Sequence, residues 1–153
     1  MLPWRAHPHL LKTALMCAVL GLLAPVLAQA AVVVVAHPGV RKLDVATVER
    51  IYSGKVVELD GQPVVPVNLP PQSPLRQRFL KDFMQRDEQN YLAYWTVRRY
   101  VGKGAPPKEV NTASEVLTHV MQNPGAIGYL DEADVPSGVN VVARGAKSAA
   151  GAP

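Results

Sequence analysis

The fold turns on Ala31-Val-Val-Val-Val-Ala36. Four β-branched residues in a row favour extended backbone, and the run is too short for a helix. It is apolar throughout instead of alternating, which reads as a strand buried on both faces. A strand of that kind needs a sheet covered by helices on both sides. His37-Pro38-Gly39 ends it.

Working outward, helical and extended patterns alternate. Asp44 is placed to cap a helix whose apolar face is Val45, Val48, Ile51 and Tyr52, with Gly54 at the exit. Val56 to Leu59 and Val64 to Leu69 flank Asp60-Gly61, a hairpin signal, although Pro63 and Pro66 confine the second run to an edge or an irregular strand. Pro70-Pro71-Gln72 is a stiff loop. Ser73 as N-cap and Pro74 at the first helical position open a second helix carrying Leu75, Phe79, Leu80, Phe83 and Met84. A third helix is expected from about Glu88 to Tyr100, with Tyr91, Leu92, Tyr94, Trp95 and Val97. A fourth starts between Asn111 and Ser114, where Thr112 and Glu115 make a capping box and Val116, Leu117, Val120 and Met121 face inward. Ala126 to Leu130 and Val139 to Ala143 read as closing strands. One α/β domain over residues 31–143 follows, with a small, polar stretch at 144–153 expected to be disordered.

Composition narrows the function. Residues 1–30 have the three-part layout of a secretory signal peptide: a basic start with Arg5 and Lys12, an apolar run from Ala14 to Leu27, and Ala28-Gln29-Ala30 as the cleavage site. The 153-residue chain carries a formal charge of +4, and removal of the two leader bases leaves +2. That weak balance and an exported location argue against a nucleic-acid partner. The single cysteine, Cys17, lies inside the leader run, preceded by Leu15-Met16 and not by the small residues of a lipid-attachment site. The expected mature chain therefore has no thiol chemistry, and it is expected in the periplasm.

Catalytic and metal signals are thin. His37 and His119 are the histidines outside the leader, and neither is spaced with carboxylates as a metal set. His37 can close its strand or meet a ligand at a strand end; His119 falls on the polar side of its helix. No serine has a nucleophile-elbow setting, and Asp131, Glu132 and Asp134 read as turn charges. Trp95 among Tyr91, Tyr94 and Tyr100 reads as core at helical spacing, with a stacking platform as the other reading. No enzyme, no cofactor and no metal is expected. The start of the second helix stands apart. Its first-turn amides and dipole suit an oxyanion, Ser73 offers a hydroxyl, and Arg76 and Arg78 add charge, while Pro74 has no N–H to donate. An ordinary serine cap beside surface arginines is the plain alternative.

The residues also resemble a family. Leu43 to Lys55, ending Val48-Glu-Arg-Ile-Tyr-Ser-Gly-Lys55, is similar to the helix-then-IFxGK segment of periplasmic phosphate-binding proteins of ABC transporters. Val64 to Phe83 matches the strand, anion-binding turn and helix that come next. Val120-Met-Gln-Asn-Pro-Gly-Ala-Ile-Gly-Tyr129 resembles the family's V-x-x-x-P-G-A-I-G-Y signature, and Tyr94 to Pro107 is like its short single-lobe members. The resemblance implies one lobe of a type 2 periplasmic binding protein-like fold, a mixed sheet flanked by helices. It also implies a non-catalytic solute-binding role, an inorganic oxyanion such as phosphate as ligand, and a membrane transporter or receptor as partner. The family's anion loop reads Arg-x-Asp-Gly-Ser-Gly-Thr, where this chain has Asn68-Leu-Pro-Pro-Gln-Ser-Pro-Leu75. The carried-over ligand-binding set is Asn68, Ser73, Leu75 and Arg76, with Asn68 near the arginine position. The family's other loop, rich in glycine and serine, has no counterpart. An alternative role is an exported interaction or sensory module that keeps the lobe and has lost its ligand.

Overall fold

A computed structural model describes residues 30–145. Apart from Ala30, the expected signal peptide lies outside the described residues, as does most of the expected tail. The elements run β1 (Val32–Ala36), α1 (Val45–Tyr52), β2 (Glu58–Leu59), β3 (Gln62–Pro63), β4 (Val65–Asn68), α2 (Pro74–Phe79), α3 (Glu88–Tyr100), β5 (Lys108–Glu109), α4 (Ala113–Gln122), β6 (Ala126–Asp131) and β7 (Asn140–Arg144). Five strands form a mixed sheet in the order β5-β4-β6-β1-β7. β1 is antiparallel to both β6 and β7, whereas β4 is parallel to β5 and β6.

The valine run behaves as its composition predicts. All five residues of β1 are buried, and the strand sits between β6 and β7. Adjacent residues of β6 point to opposite faces and identify what covers each side. A Cβ on Gly128 would lie 2.4 Å from Val116 of α4. The next residue, Tyr129, stacks on Phe79 of α2 with ring centroids 4.0 Å apart and planes 4° from parallel. So α4 covers one face and α2 the other.

The helix starts follow their caps. The Asp44, Asp87 and Thr112 side chains accept from the Thr47, Asn90 and Glu115 amides. The core contains Val33, Val35, Val48, Ile51, Phe79, Phe83, Trp95, Val120 and Ile127, as expected. Leu117 is only partly buried, packed against its edge. Met121, expected inward, is exposed, because it lies one step off the Val116–Val120 stripe.

Three expectations need correction. The hairpin at Asp60-Gly61 is only two residues deep, pairing Glu58 with Pro63 and Leu59 with Gln62. The second run then leaves it, and β4 joins the main sheet beside β6. Pro66 is tolerated there because Val65 donates to Gly125, so alternation turns the amide-less Pro66 to the other side, ahead of the first β5 residue. Second, the helix after Ser73 is not α-helical to its end. It passes after Phe79 into a wider π-helical turn, Leu80–Met84, and stops at Gln85 with φ +50°. Third, the last strand reaches Arg144, one residue into the stretch expected as tail.

Candidate functional site

The carboxyl ends of the parallel strands β4 and β5 meet the start of α2 at one end of the sheet. In α/β sheets ligands gather outside such strand ends. Each of the four residues expected to bind a ligand lies here, and each has a definite local role.

Ser73 is the N-cap of α2, and its Oγ accepts from the Arg76 amide at 3.4 Å. Its own amide donates to Pro70 O, which closes the Pro70-Pro71-Gln72 turn. Leu75 is buried. Asn68 is not at the surface: it is 1% exposed and belongs to a tyrosine network. Its Oδ1 accepts from the Tyr129 hydroxyl at 2.5 Å, and its Nδ2 donates to the Tyr91 hydroxyl at 3.4 Å. The Tyr129 oxygen in turn accepts from the Leu69 amide, Tyr91 donates to Tyr52 O, and Tyr52 donates to Val67 O. Burial drives all three phenols above the usual tyrosine range, Tyr91 to about 12. They remain neutral donors, and the network ties the end of β4 to α1, α3 and β6.

Arg76 departs most from the reading of it as a surface charge. Its side chain is 2% exposed and lies inside a ring of acceptors. Glu88 of α3 takes the guanidinium fork with both oxygens, at 2.6 Å and 2.8 Å. Nη1 donates to Leu69 O at 2.5 Å and to Glu109 Oε1 at 2.7 Å. Burial works against the charge, and the bonds to Glu88 and Glu109 outweigh it, leaving Arg76 more firmly protonated than an ordinary arginine. The cluster of one cation and two carboxylates is formally anionic. Arg78 is engaged as well, with Asp131 at 2.6 Å.

The remaining sequence candidates are dispersed. His37 ends β1 at the opposite end of the sheet, its Nδ1 accepting from Gly39 N at 3.4 Å. It borders a recess of about 320 Å³ with Arg41, Asp60 and Gly125. His119, expected to be solvated, is half-buried; burial first and Lys108 second hold its pKa below the usual range. Glu132 pairs with Arg144, and Asp131 with Arg78, so two of the three turn carboxylates are structural partners. Trp95 and Tyr91 are core, Tyr94 is half-buried, and Tyr100 is fully out. Among the described residues no three histidine, cysteine or carboxylate side chains are grouped to hold a metal.

Sequence reasoning missed two features. One is the carboxylate pair on Arg76, contributed by residues 12 and 33 positions away, a separation that leaves no local pattern. The other is an open groove of about 1350 Å³ between the π-helical turn and α3, bordered by Lys81, Arg86, Tyr94, Val97 and Arg98. Arg86 lies over the Tyr94 ring, 4.7 Å from its centre.

The P-G-A-I-G-Y stretch now has a physical reading. Gly125 holds φ +76°, and a Cβ there would sit 2.0 Å from Pro63 O. Ala126 and Ile127 are core, Gly128 admits α4, and Tyr129 anchors Asn68 and Leu69.

No protein-family model matches the chain, and no curated protein sequence matches it. Its fold is that of phosphate-transport binding proteins. An ABC-type phosphate transport receptor from Vibrio cholerae superposes with a TM-score of 0.58 and 20% identity, over 75% of this chain and 46% of that one. A protein assigned as a phosphate ABC transporter substrate-binding protein, solved with bound phosphate, from Clostridium perfringens superposes with a TM-score of 0.60 and 20% identity, over 75% and 45%. The chain thus spans less than half the length of either. The architecture is one lobe's worth of a type 2 periplasmic binding protein fold, a five-stranded mixed sheet flanked by helices.

Proposed function

We propose that the chain is an exported, non-catalytic solute-binding module whose ligand is phosphate or a similar inorganic oxyanion. Its seat is the β4–α2 junction, with Ser73, the first-turn amide of Leu75, Arg76 and the Asn68-held loop as its elements. The likeness of the fold to two phosphate-transport binding proteins carries this reading. The leader-like segment at residues 1–30 supports export. Each charge-assisted hydrogen bond contributes about 1.5–3 kcal/mol, and one half-site leaves the anion partly in water. Binding should therefore be weak and salt-sensitive.

A second reading has its own observation. The buried guanidinium is already bonded to Glu88 and Glu109, as it would be in a lobe that serves a membrane receptor or transporter purely as a protein partner. Calorimetric titration of the mature protein with phosphate, sulfate and molybdate separates the two. Weak binding, lost in Ser73→Ala and reduced by added salt, supports the solute-binding module. No heat with any of the three supports the interaction module.

A further inference from the structure

The two carboxylates on Arg76 are held in different ways. Glu88 comes from the first turn of the thirteen-residue helix α3, grips the fork with both oxygens, and has a side chain only 21% exposed. Glu109 comes from the two-residue edge strand β5, uses one oxygen, and is 52% exposed. A bidentate, buried contact fixes geometry; a single, half-solvated one exchanges with water or another anion at little cost. A carboxylate is also a fair chemical stand-in for one edge of an oxyanion, offering acceptor oxygens and negative charge to the same N–H groups.

We propose that Glu109 is a displaceable internal anion that occupies the oxyanion position on Arg76, so that ligand binds by taking its place. The proposal rests on the oxyanion reading of this site. Glu88 is then a positioning residue that aims the fork, Leu69 O steadies Nη1, and Glu109 sets how weakly the chain binds. An arriving oxyanion competes with a tethered carboxylate and meets a formally anionic cluster until Glu109 swings out.

The test is calorimetric titration with inorganic phosphate at low ionic strength of the wild type, Glu109→Gln, and Glu58→Gln, which removes the same charge from an exposed site on β2. Circular dichroism checks that each is folded. Glu109→Gln should bind about tenfold more tightly than wild type, the loss of one charge-assisted competitor. Glu58→Gln should match wild type, and adding Ser73→Ala to Glu109→Gln should abolish the gain. A wild type that binds while Glu109→Gln is equal or weaker overturns the proposal and leaves the oxyanion reading standing. An equal gain in Glu58→Gln overturns it too, since the effect is then general charge. Silence from all the folded variants removes the oxyanion reading itself, and the proposal with it.

Discussion

Asn68 and Gly125 secure β4 at its two ends, Asn68 at the candidate site and Gly125 at the far end, where its carbonyl accepts from Val65 N. Asn68 is buried with both ends of its amide engaged by tyrosine hydroxyls. Truncating it leaves the Tyr129 hydroxyl proton without its acceptor and the Tyr91 oxygen without its donor in a dry setting, where an unmet polar group costs about 1–3 kcal/mol. Asn68→Ala should lower the free energy of unfolding by at least that much, measured by urea denaturation. Tyr129→Phe, which also strands the Leu69 amide, should fall in the same range. Gly125 is fixed by space: at φ +76° its missing side chain lets Pro63 pass. Gly125→Ala forces the β3–β4 corner and the start of β6 apart, and by the same assay should cost more than either. These two roles were unequally legible. The glycine lay in a recognisable signature, whereas Asn68 looked like a ligand because nothing local shows that two distant tyrosines, Tyr91 and Tyr129, engage its amide.

At the scale of elements, the turn after α2 is the exception to regular geometry. The chain widens at Leu80–Met84 and leaves through Gln85, a left-handed residue with a Cβ. The wide turn lets Leu80, Phe83 and Met84 all reach the core, where Phe83 stacks on Phe79 at 5.2 Å. The left-handed conformation costs a non-glycine residue about 1–2 kcal/mol, partly offset by the lower unfolded-state entropy relative to glycine. Thermal unfolding should therefore rank Gln85→Gly above wild type by up to about 1 kcal/mol, and Gln85→Val below it by a similar amount. The periodicity of Leu75 to Met84 predicted a helix but not its widening, since π and α turns share nearly the same apolar spacing. The split of Val64 to Leu69 between hairpin and sheet was hidden for a similar reason. Local pattern fixes extended backbone, while the choice of partner strand depends on β6, some sixty residues away.

For the molecule as a whole, the buried tyrosines predict how it fails at high pH. Tyr52, Tyr91 and Tyr129 are each about 1% exposed or less, and burial raises all three above the model-peptide value near 10, Tyr91 to about 12. Below pH 10 these phenols keep their protons whether the chain is folded or not, so they leave stability unchanged. Above it the unfolded chain gives up protons that the folded chain retains, and stability falls as pH rises. Each unit of separation is worth about 1.4 kcal/mol per group. Two further consequences follow from the closeness of the three phenols: Asn68 joins the Tyr91 and Tyr129 hydroxyls, and the Tyr52 ring lies 6.0 Å from that of Tyr129. Ionising any one of them inside the fold would place a charge beside the other two, so they should not titrate singly. Instead, tyrosinate absorbance from these three should appear together with loss of the far-ultraviolet helix signal, in one transition that begins above pH 10. Tyrosinate from the three appearing well before the helix signal declines would show that the network opens locally, and that the end of β4 is not bound to the rest of the lobe in the way its hydrogen bonds require.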